Sequence, residues 1–194
     1  MGKVIAIEHL TLDGVMQSPG KADEDPRDGF RHGGWATQDQ DPAMQEAMGA
    51  RMAGGWSLLA GRMTYEHFAA YWPSQAPNPF TEALNRVQKY VVSTTLAEPL
   101  PWQNSTLLKG DATEAVAGLK KELAENLVVF GSGVLVRSLM AGGLVDELLL
   151  LIHPLVLGTG RRLFPESGTG LTAFELVDSA TTRTGVLMAA YRPR

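Results

Sequence analysis

Short apolar runs alternate with polar segments along this chain, and most runs end at a glycine, a proline or a helix-capping residue. Runs of this length, rich in Val, Ile and Leu, predict β-strands. They occupy residues 3–11, 56–60, 90–94, 127–130, 148–153, 173–179 and 186–191. The run 148–153 lacks polar alternation, which predicts a central strand buried on both faces. The last two runs, separated by Gly185, predict an antiparallel pair.

Residues that cap helices follow several of these runs. A side-chain oxygen just before a helix accepts a hydrogen bond from an otherwise unpaired backbone N–H, and proline suits the first helical position. The predicted helix starts are Asp41–Pro42, Thr64, Asn78–Pro79, Asp111 and Val134. Strands and helices that alternate in this way predict an α/β fold, with a mostly parallel central sheet covered on both faces and an antiparallel C-terminal edge.

Length and composition narrow the class of protein. The 194 residues predict one domain over 1–194, large enough for its own hydrophobic core. The absence of cysteine and of an export signal favours the cytoplasm. The net charge of −4 and the short apolar runs argue against nucleic-acid and membrane partners, which leaves a small molecule. The histidines (His9, His32, His67 and His153) lack metal-site spacing, so we expect no metal and structural roles for all of them.

Two glycine-containing turns between a strand and a helix are candidate anion sites. Backbone N–H groups at the start of a helix attract anions, so Gly131-Ser132-Gly133 is a possible seat for a phosphate group. A tight turn that needs small residues only for packing is the alternative. The second turn, Gly61-Arg62-Met63-Thr64, places a cation at a helix start, where the helix dipole disfavours it unless an anion is present. Two such turns suggest a dinucleotide held at both ends.

Other folds and chemistries fit these turns less well. Val136 occupies the third glycine position of the Rossmann fingerprint, and no acid follows at about 20 residues. The Gly-x-Ser-x-Gly spacing of a hydrolase nucleophile is absent around Ser132. Trp35, Tyr71 and Trp72 lie in predicted loops, where they either line an aromatic pocket or pack beneath the loops.

Motifs in a fixed order carry a resemblance to a known family. They are Leu12-Asp13-Gly14-Val15-Met16, Ala60-Gly61-Arg62-Met63-Thr64-Tyr65-Glu66, Val91-Val92-Ser93-Thr94, Phe130-Gly131-Ser132-Gly133, and the segments 143–148 and 157–164. The chain resembles the dihydrofolate reductase fold and, more closely, the C-terminal reductase domain of riboflavin biosynthesis with its small bacterial relatives. The resemblance implies a three-layer α/β sandwich, NADPH as the cofactor and a homodimer.

The resemblance also implies the cofactor contacts, position by position. Gly61, Arg62 and Thr64 match the residues that bind the adenosine-side phosphates. Ser93 and Thr94 match those that contact the adenine ribose and its 2′-phosphate. The residues that match the turn against the pyrophosphate and the nicotinamide ribose are Gly131, Ser132, Gly133, Val134 and Leu135. Asp13, Gly14 and Val15 match the loop entrance that covers the nicotinamide.

The residues expected to bind the substrate differ from those of folate reductases and of the riboflavin-pathway reductase. The carboxylate that folate reductases place on the helix after the first loop falls at Gln45, and Glu46 takes that role only with a one-residue slip. Asp13 and Glu46 are the candidates for proton delivery or substrate anchoring. The acids of the first loop are expected to repel the phosphate of the riboflavin-pathway substrate, 5-amino-6-(5-phosphoribosylamino)uracil. A loop whose acids are only solvated is the alternative. These acids are Asp23, Glu24, Asp25 and Asp28.

The expected function is NADPH-dependent reduction of a C=N or C=O bond in a small heterocyclic or sugar-derived substrate. The competing expectation is a non-catalytic protein that retains the fold and binds a nucleotide or another planar ligand. An apolar edge at Val186, Leu187 and Met188 would pair with another chain if it were open, which is a further reason to expect a homodimer.

Overall fold

The computed structural model describes residues 2–165 and 171–194. The helices are α1 (Pro42–Met52), α2 (Arg62–Tyr71), α3 (Pro79–Arg86), α4 (Ala112–Glu122) and α5 (Gly133–Ala141). The strands are β1 (Val4–Thr11), β2 (Trp56–Gly61), β3 (Lys89–Val92), β4 (Ser105–Leu108), β5 (Asn126–Phe130), β6 (Glu147–His153), β7 (Phe174–Thr181) and β8 (Leu187–Pro193). Short 3₁₀ turns occupy Arg27–Gly29 and Trp72–Ser74.

The chain forms two compact units. The first contains Met52–Val145 and the start of the chain up to Ile5, and the second contains Ala6–Arg51 and Asp146–Arg194. Strand β1 contributes its first residues to one unit and the rest to the other. The expectation of a single domain over 1–194 stays a prediction.

The first unit is built on parallel strands. They follow the order β4-β3-β2-β5, and the start of β1 comes next to β5. Strand β2 runs parallel to β3 and to β5, and β3 runs parallel to β4. Gly61 at the end of β2 lies beside Val92 at the end of β3. The segments after these two strands therefore begin at the same edge of the sheet.

Strand β4 is absent from the sequence prediction. It is only four residues long and follows a loop that contains Pro99 and Pro101. None of its residues is fully buried. It joins the sheet as an edge strand through backbone pairing with β3, and such pairing leaves little trace in the hydrophobic pattern.

Three of the predicted helix starts are confirmed by cap hydrogen bonds. The side chains of Asp41, Asn78 and Asp111 each accept hydrogen bonds from backbone N–H groups two or three residues further on, at 2.8–3.0 Å. Each bond satisfies an amide at a helix start that would otherwise lack a partner. These contacts are local, which is why the sequence alone reveals them.

The predicted start of α2 at Thr64 is wrong. The helix begins at Arg62, and Gly61 is its cap residue, with extended backbone angles (φ −78°, ψ 165°). Thr64 therefore lies inside the first turn of the helix. Its hydroxyl accepts a hydrogen bond from Ser132, which lies in the turn after β5.

A buried lysine side chain donates hydrogen bonds to carbonyl groups at the end of α3. Lys89 is fully buried, and its Nζ donates to the carbonyls of Asn85 and Val87 at 3.0 and 2.8 Å. The same Nζ lies 4.5 Å from the centre of the Trp102 ring. Burial lowers the pKa of Lys89 to about 8, because removal from water disfavours the charged ammonium.

The second unit is built on strands in the order β1-β6-β8-β7. Strand β8 is antiparallel to both β6 and β7. Strand β6 is buried at all positions except Ile152, which is partly buried, so the prediction of a central strand is confirmed. The α/β class, the parallel strands and the antiparallel C-terminal edge are confirmed as well.

The expected open apolar edge around Val186, Leu187 and Met188 is wrong. Leu187 is paired with Ile152 on one side and with Thr181 on the other. Val186 and Met188 are buried. Strand β7 takes the outer position in the strand order, so it covers the apolar positions of β8.

Candidate functional site

The turns after β2 and β5 meet in the first unit through one side chain. The Oγ atom of Ser132 accepts a hydrogen bond from the backbone N–H of Gly61 at 3.0 Å and donates one to Thr64 Oγ1 at 2.9 Å. The two turns that the sequence analysis selected as anion sites are thus one structural feature, although about 70 residues separate them along the chain.

Helix α5 begins without a side-chain cap among the described residues. Its cap residue, Ser132, turns its hydroxyl to Gly61 and makes no side-chain cap bond to α5 among the described residues. Gly131 and Ser132 both have left-handed backbone angles, with φ values of 59° and 57°. Left-handed serine is strained, and such strain is concentrated at functional sites. The arrangement leaves N–H donors of α5 available to an anion.

An exposed apolar side chain stands next to these amides. Val134 is 67% exposed, while Leu135 and Gly133 are buried. An apolar side chain at the rim of an anion site is suited to cover the ribose or ring of a bound nucleotide. The predicted residues of this turn, from Gly131 to Leu135, therefore lie at one helix start. This helix start combines backbone N–H donors with an exposed apolar side chain.

Arg62 is the first residue of α2 and is exposed. Among the described residues its side chain pairs only with Glu66, one helical turn further on, with 3.4 Å between Nη1 and Oε2. Both side chains are more than 40% exposed, and exposed pairs of this kind contribute little to stability. The guanidinium is therefore available to an anion near the uncapped start of α2.

Ser93 and Thr94 follow β3 at the same sheet edge as Arg62, but only Thr94 is exposed and available to a ligand. Ser93 is buried, and its hydroxyl accepts hydrogen bonds from the N–H groups of Thr95 and Leu96, both at 3.1 Å. This hydroxyl shapes the turn. Thr94 is exposed. The expected contact with the 2′-phosphate thus rests on Thr94 and Arg62 more than on Ser93.

Asp13 lies in the second unit and holds two loops together. Its carboxylate accepts hydrogen bonds from Thr11 Oγ1 at 2.6 Å and from the N–H groups of Leu157 and Gly158 at 3.2 and 2.9 Å. These bonds, the one from Thr11 first, lower its pKa to about 2. Asp13 is therefore held as a carboxylate by these contacts, and its expected role in proton delivery or substrate anchoring stays a prediction.

The neighbours of Asp13 form a fixed entrance to the first loop. Gly14 has a positive φ of 77°, and Val15 is fully buried. Val15 forms an antiparallel bridge with Arg162, whose Nε donates to the carbonyl of Asp13 at 2.7 Å. The predicted loop entrance is thus tied to the segment after β6.

Helix α1 does not carry a buried carboxylate. Gln45 and Glu46 are both exposed, and the one fully buried residue of the helix is Met44. Glu46 lines a cleft of about 330 Å³ between α1 and the sheet of the second unit. The floor of this cleft is apolar, with Leu149 and Met188 among its residues.

Two of the four acids of the first loop are paired with arginines. Asp25 pairs with Arg27 at 2.5 Å, and Asp28 pairs with Arg161 at 2.9 Å. Glu24 accepts hydrogen bonds from two backbone N–H groups of the same loop. In the described part of the chain, Asp23 alone of the four acids has no hydrogen-bond or ion-pair partner. The charges of Asp25 and Asp28 are therefore compensated, whereas the expected repulsion of a phosphate by this loop stays a prediction.

The sequence analysis missed a cluster of titratable side chains in the second unit. His9 contacts His153, and His153 contacts Asp39. These residues are far apart along the chain, so spacing could not reveal the cluster. Within residues 2–165 and 171–194, no group of His, Asp and Glu residues has the geometry of a metal site. No helix in these ranges is long and apolar enough to cross a membrane.

Comparison with known proteins gives a consistent fold. The family model of the RibD C-terminal domain matches residues 2–188. The uncharacterized protein YyaP of Bacillus subtilis (strain 168) is 30% identical over 141 residues, which is 70% of this chain and 72% of the relative.

Two solved structures extend this comparison. A pyrimidine reductase-like protein from Corynebacterium diphtheriae has a TM-score of 0.67 at 12% identity, over 100% of this chain and 92% of that one. Dihydrofolate reductase from Enterococcus faecalis, complexed with NADP(H), has a TM-score of 0.59 at 16% identity, over 100% of this chain and 97% of that one. At these identities the structures share the fold with this chain.

Proposed function

This chain belongs to the RibD C-terminal domain family, and from that premise we propose that it is an NADPH-dependent reductase of a small heterocyclic or sugar-derived substrate. Its neighbours in structure include a pyrimidine reductase-like protein and a dihydrofolate reductase, which supports a reductase-type fold. The cofactor and the substrate class are the parts that need experiment. We expect the protein to work in the cytoplasm.

The observation that carries the proposal is the junction of the turns after β2 and β5. Ser132 joins Gly61 and Thr64 by hydrogen bonds and leaves the amides of α5 without a side-chain cap. Within the described part of the chain, α2 and α5 both begin without a side-chain cap, and with the exposed arginine beside them these helix starts fit a group that carries several phosphates. A turn that served only packing would not need an uncapped helix start.

The residues present fit NADPH. The amides of α5 from Gly133 onward and the apolar side chain of Val134 would hold the pyrophosphate and the adjoining ribose. Arg62 and Thr94 would hold the phosphate on the adenosine side. When bound, the reduced nicotinamide supplies the hydride, and the protein supplies orientation, exclusion of water and a proton.

Calorimetric titration with NADPH tests this assignment. We expect wild type to bind and Gly133→Val to lose binding, because a branched side chain at the buried first residue of α5 fills the space where a phosphate must approach the backbone. Gly118→Val is the matched control, since a Cβ atom added at Gly118 has no neighbour within 4 Å. Circular dichroism verifies that both variants are folded.

Two results would contradict the proposal. Unchanged NADPH affinity in folded Gly133→Val would show that the phosphates bind elsewhere. Tight NADPH binding by wild type without any NADPH oxidation, across acceptors with C=N and C=O bonds, would instead favour the non-catalytic binding protein.

A further inference from the structure

Three polar side chains of the second unit form a row at the carboxyl ends of two neighbouring strands. His9 lies two residues before the end of β1, and His153 is the last residue of β6. These two strands are neighbours in the sheet. His9 Nδ1 lies 2.9 Å from His153 Nε2, and His153 Nδ1 lies 3.1 Å from Asp39 Oδ2. Two imidazole rings and one carboxylate therefore meet where three distant segments of the chain converge.

The middle member of this row is removed from water. The side chain of His153 is 0% exposed, that of Asp39 is 21% exposed, and His9 is partly buried. The indole of Trp35 packs edge-on against the His153 ring, with 5.2 Å between the ring centres, and its N–H donates to the carbonyl of Gln17 at 2.7 Å. A positive charge on His153 is therefore stabilised by Asp39 rather than by water.

The other charged groups on the packed segments are engaged elsewhere. The carboxylate of Asp41 accepts a hydrogen bond from the N–H of Arg183 at 3.2 Å, and the Arg183 side chain is 90% exposed. Glu8 is the neighbour of the β1 histidine, and the alternation of side chains along a strand places it on the opposite face of the sheet. Asp39 is thus the charged group that acts on the histidine pair.

The number of bound protons decides whether the two rings can share a hydrogen bond. An ionised carboxylate only accepts, so neutral His153 donates from Nδ1 to Asp39 and accepts at Nε2 from Nδ1 of neutral His9. One added proton is compatible with both contacts, because His153 then donates from both nitrogens and His9 accepts at Nδ1. A second added proton makes both facing nitrogens donors, so the ring contact is lost and two positive charges lie side by side.

We propose that His9 and His153 form an acid-sensitive joint between the ends of β1 and β6. The joint is closed when the pair carries no added proton or one, and it opens when the pair takes up the second. Asp39 is a positioning residue, because its carboxylate holds the single-proton form closed. The proposal concerns the second unit alone and is independent of the proposed reductase function.

The joint stabilises the start of the first loop. Leu12 follows His9 by three residues, and its backbone N–H donates to the carbonyl of Leu155, two residues after His153, at 2.9 Å. This backbone bond is the next contact between the same two segments, so separation of the rings weakens it. The amide of Leu12 therefore reports on the joint. Asp13, the next residue, belongs to the predicted loop entrance, so the joint links the order of that entrance to pH.

The direction of the pH dependence follows from burial. Burial, and then the neighbouring His153, lower the pKa of His9 from 6.5 to about 4. Burial also lowers the pKa of His153, against the opposing effect of Asp39. The open joint therefore takes up protons more readily than the closed joint between pH 6.5 and about 4. The closed joint is fully favoured above pH 6.5, and this preference is lost as the pH falls through that window.

Hydrogen exchange and nitrogen-15 NMR of the wild-type protein test the joint. The protection factor of the Leu12 amide, which corrects for the intrinsic exchange rate, should fall by roughly 100-fold between pH 6.5 and pH 4. Coupling between His9 Nδ1 and His153 Nε2 across their hydrogen bond should be present at neutral pH and absent once both rings are charged. An unchanged protection factor of Leu12, or a coupling that persists with both rings charged, overturns the joint.

Two substitutions should change the acid sensitivity in opposite directions. His9→Asn places an amide N–H at the position of Nδ1 and takes no charge, so the protection of Leu12 should change by less than about tenfold over the same pH range. Asp39→Asn keeps an acceptor for His153 but removes the charge that stabilises the single-proton form, so the fall should begin at a higher pH. His32→Gln, at an exposed histidine of the first loop, is the matched control and should keep the wild-type profile.

Each variant tests one part of the joint. A fall in His9→Asn as large as in wild type overturns the role of His9. A profile of Asp39→Asn that equals wild type, or that shifts to lower pH, overturns the role of Asp39. A contact that served only packing would reduce the protection of Leu12 equally at every pH, so a uniform loss in both variants also contradicts the proposal. If His9→Asn does not fold, the ring coupling of wild type and the profile of Asp39→Asn decide.

Discussion

Ser132 accepts a hydrogen bond from the backbone N–H of Gly61 at 3.0 Å, which joins the turn after β5 to the turn after β2. The bond uses the serine hydroxyl that would otherwise cap α5. It therefore does two things at once, since it fixes the spacing of two helix starts and leaves the amides of one of them available to a ligand.

Ser132→Ala should destabilise the protein by about 1–3 kcal/mol, because the N–H of Gly61 loses its acceptor. Unfolding in urea measures this change. Ser132→Gly also lacks the hydroxyl but accommodates the left-handed φ of 57°, so it should be more stable than Ser132→Ala. Equal stability of Ser132→Ala and wild type would mean that the bond contributes nothing.

Arg62→Ala should weaken NADPH binding by about 10- to 100-fold, the loss expected for one charge-assisted hydrogen bond, and should leave NADH binding almost unchanged. Fluorescence titration with both cofactors measures the two affinities. Glu66→Gln is the matched control, because it removes the ion-pair partner of Arg62 and keeps the cation. Equal affinity of wild type for NADPH and NADH would contradict the assignment of Arg62.

Asp13 should make the protein less stable in acid. Its pKa is lowered from 3.8 to about 2 in the folded state, so the unfolded chain binds the proton more readily. The stabilisation is present above pH 3.8 and is lost as pH falls toward about 2. Urea unfolding at several pH values should show this loss in wild type and a smaller loss in Asp13→Asn. Identical pH profiles would assign the acid sensitivity to other carboxylates.

Dihydrofolate should be a poor substrate. Helix α1 presents the buried Met44, while Gln45 and Glu46 are exposed, so no carboxylate of this helix is buried to serve a pterin ring. We expect a kcat/KM below about 10⁵ M⁻¹s⁻¹, under the usual range of efficient enzymes. Steady-state NADPH consumption measures it. A higher value would show that another group recognises the pterin.

We expect a homodimer in solution, on the basis of the family resemblance, although the apolar edge first considered is covered by β7. Light scattering at micromolar concentration should give twice the single-chain mass of 20.9 kDa. A mass near that of one chain would contradict the expectation.

Much of the local structure of this protein could be predicted from the order of its residues. The cap bonds of Asn78 and Asp111 join atoms two or three residues apart, so the residue types and their order are enough to predict them. The buried strand β6 is equally visible, because continuous burial removes polar residues from the run. The fold could likewise be predicted from the order of the motifs, because that order can be read directly from the sequence.

The contacts between residues far apart in the sequence could not be predicted in this way. The bond from Ser132 to Gly61 spans 71 residues, and the contact between His9 and His153 spans 144. Such contacts depend on which strands become neighbours, and that choice comes from the packing of the whole sheet, which no local spacing encodes. For the same reason Asp13 looked like a possible acid in the sequence, whereas the amides of Leu157 and Gly158 hold it as a carboxylate.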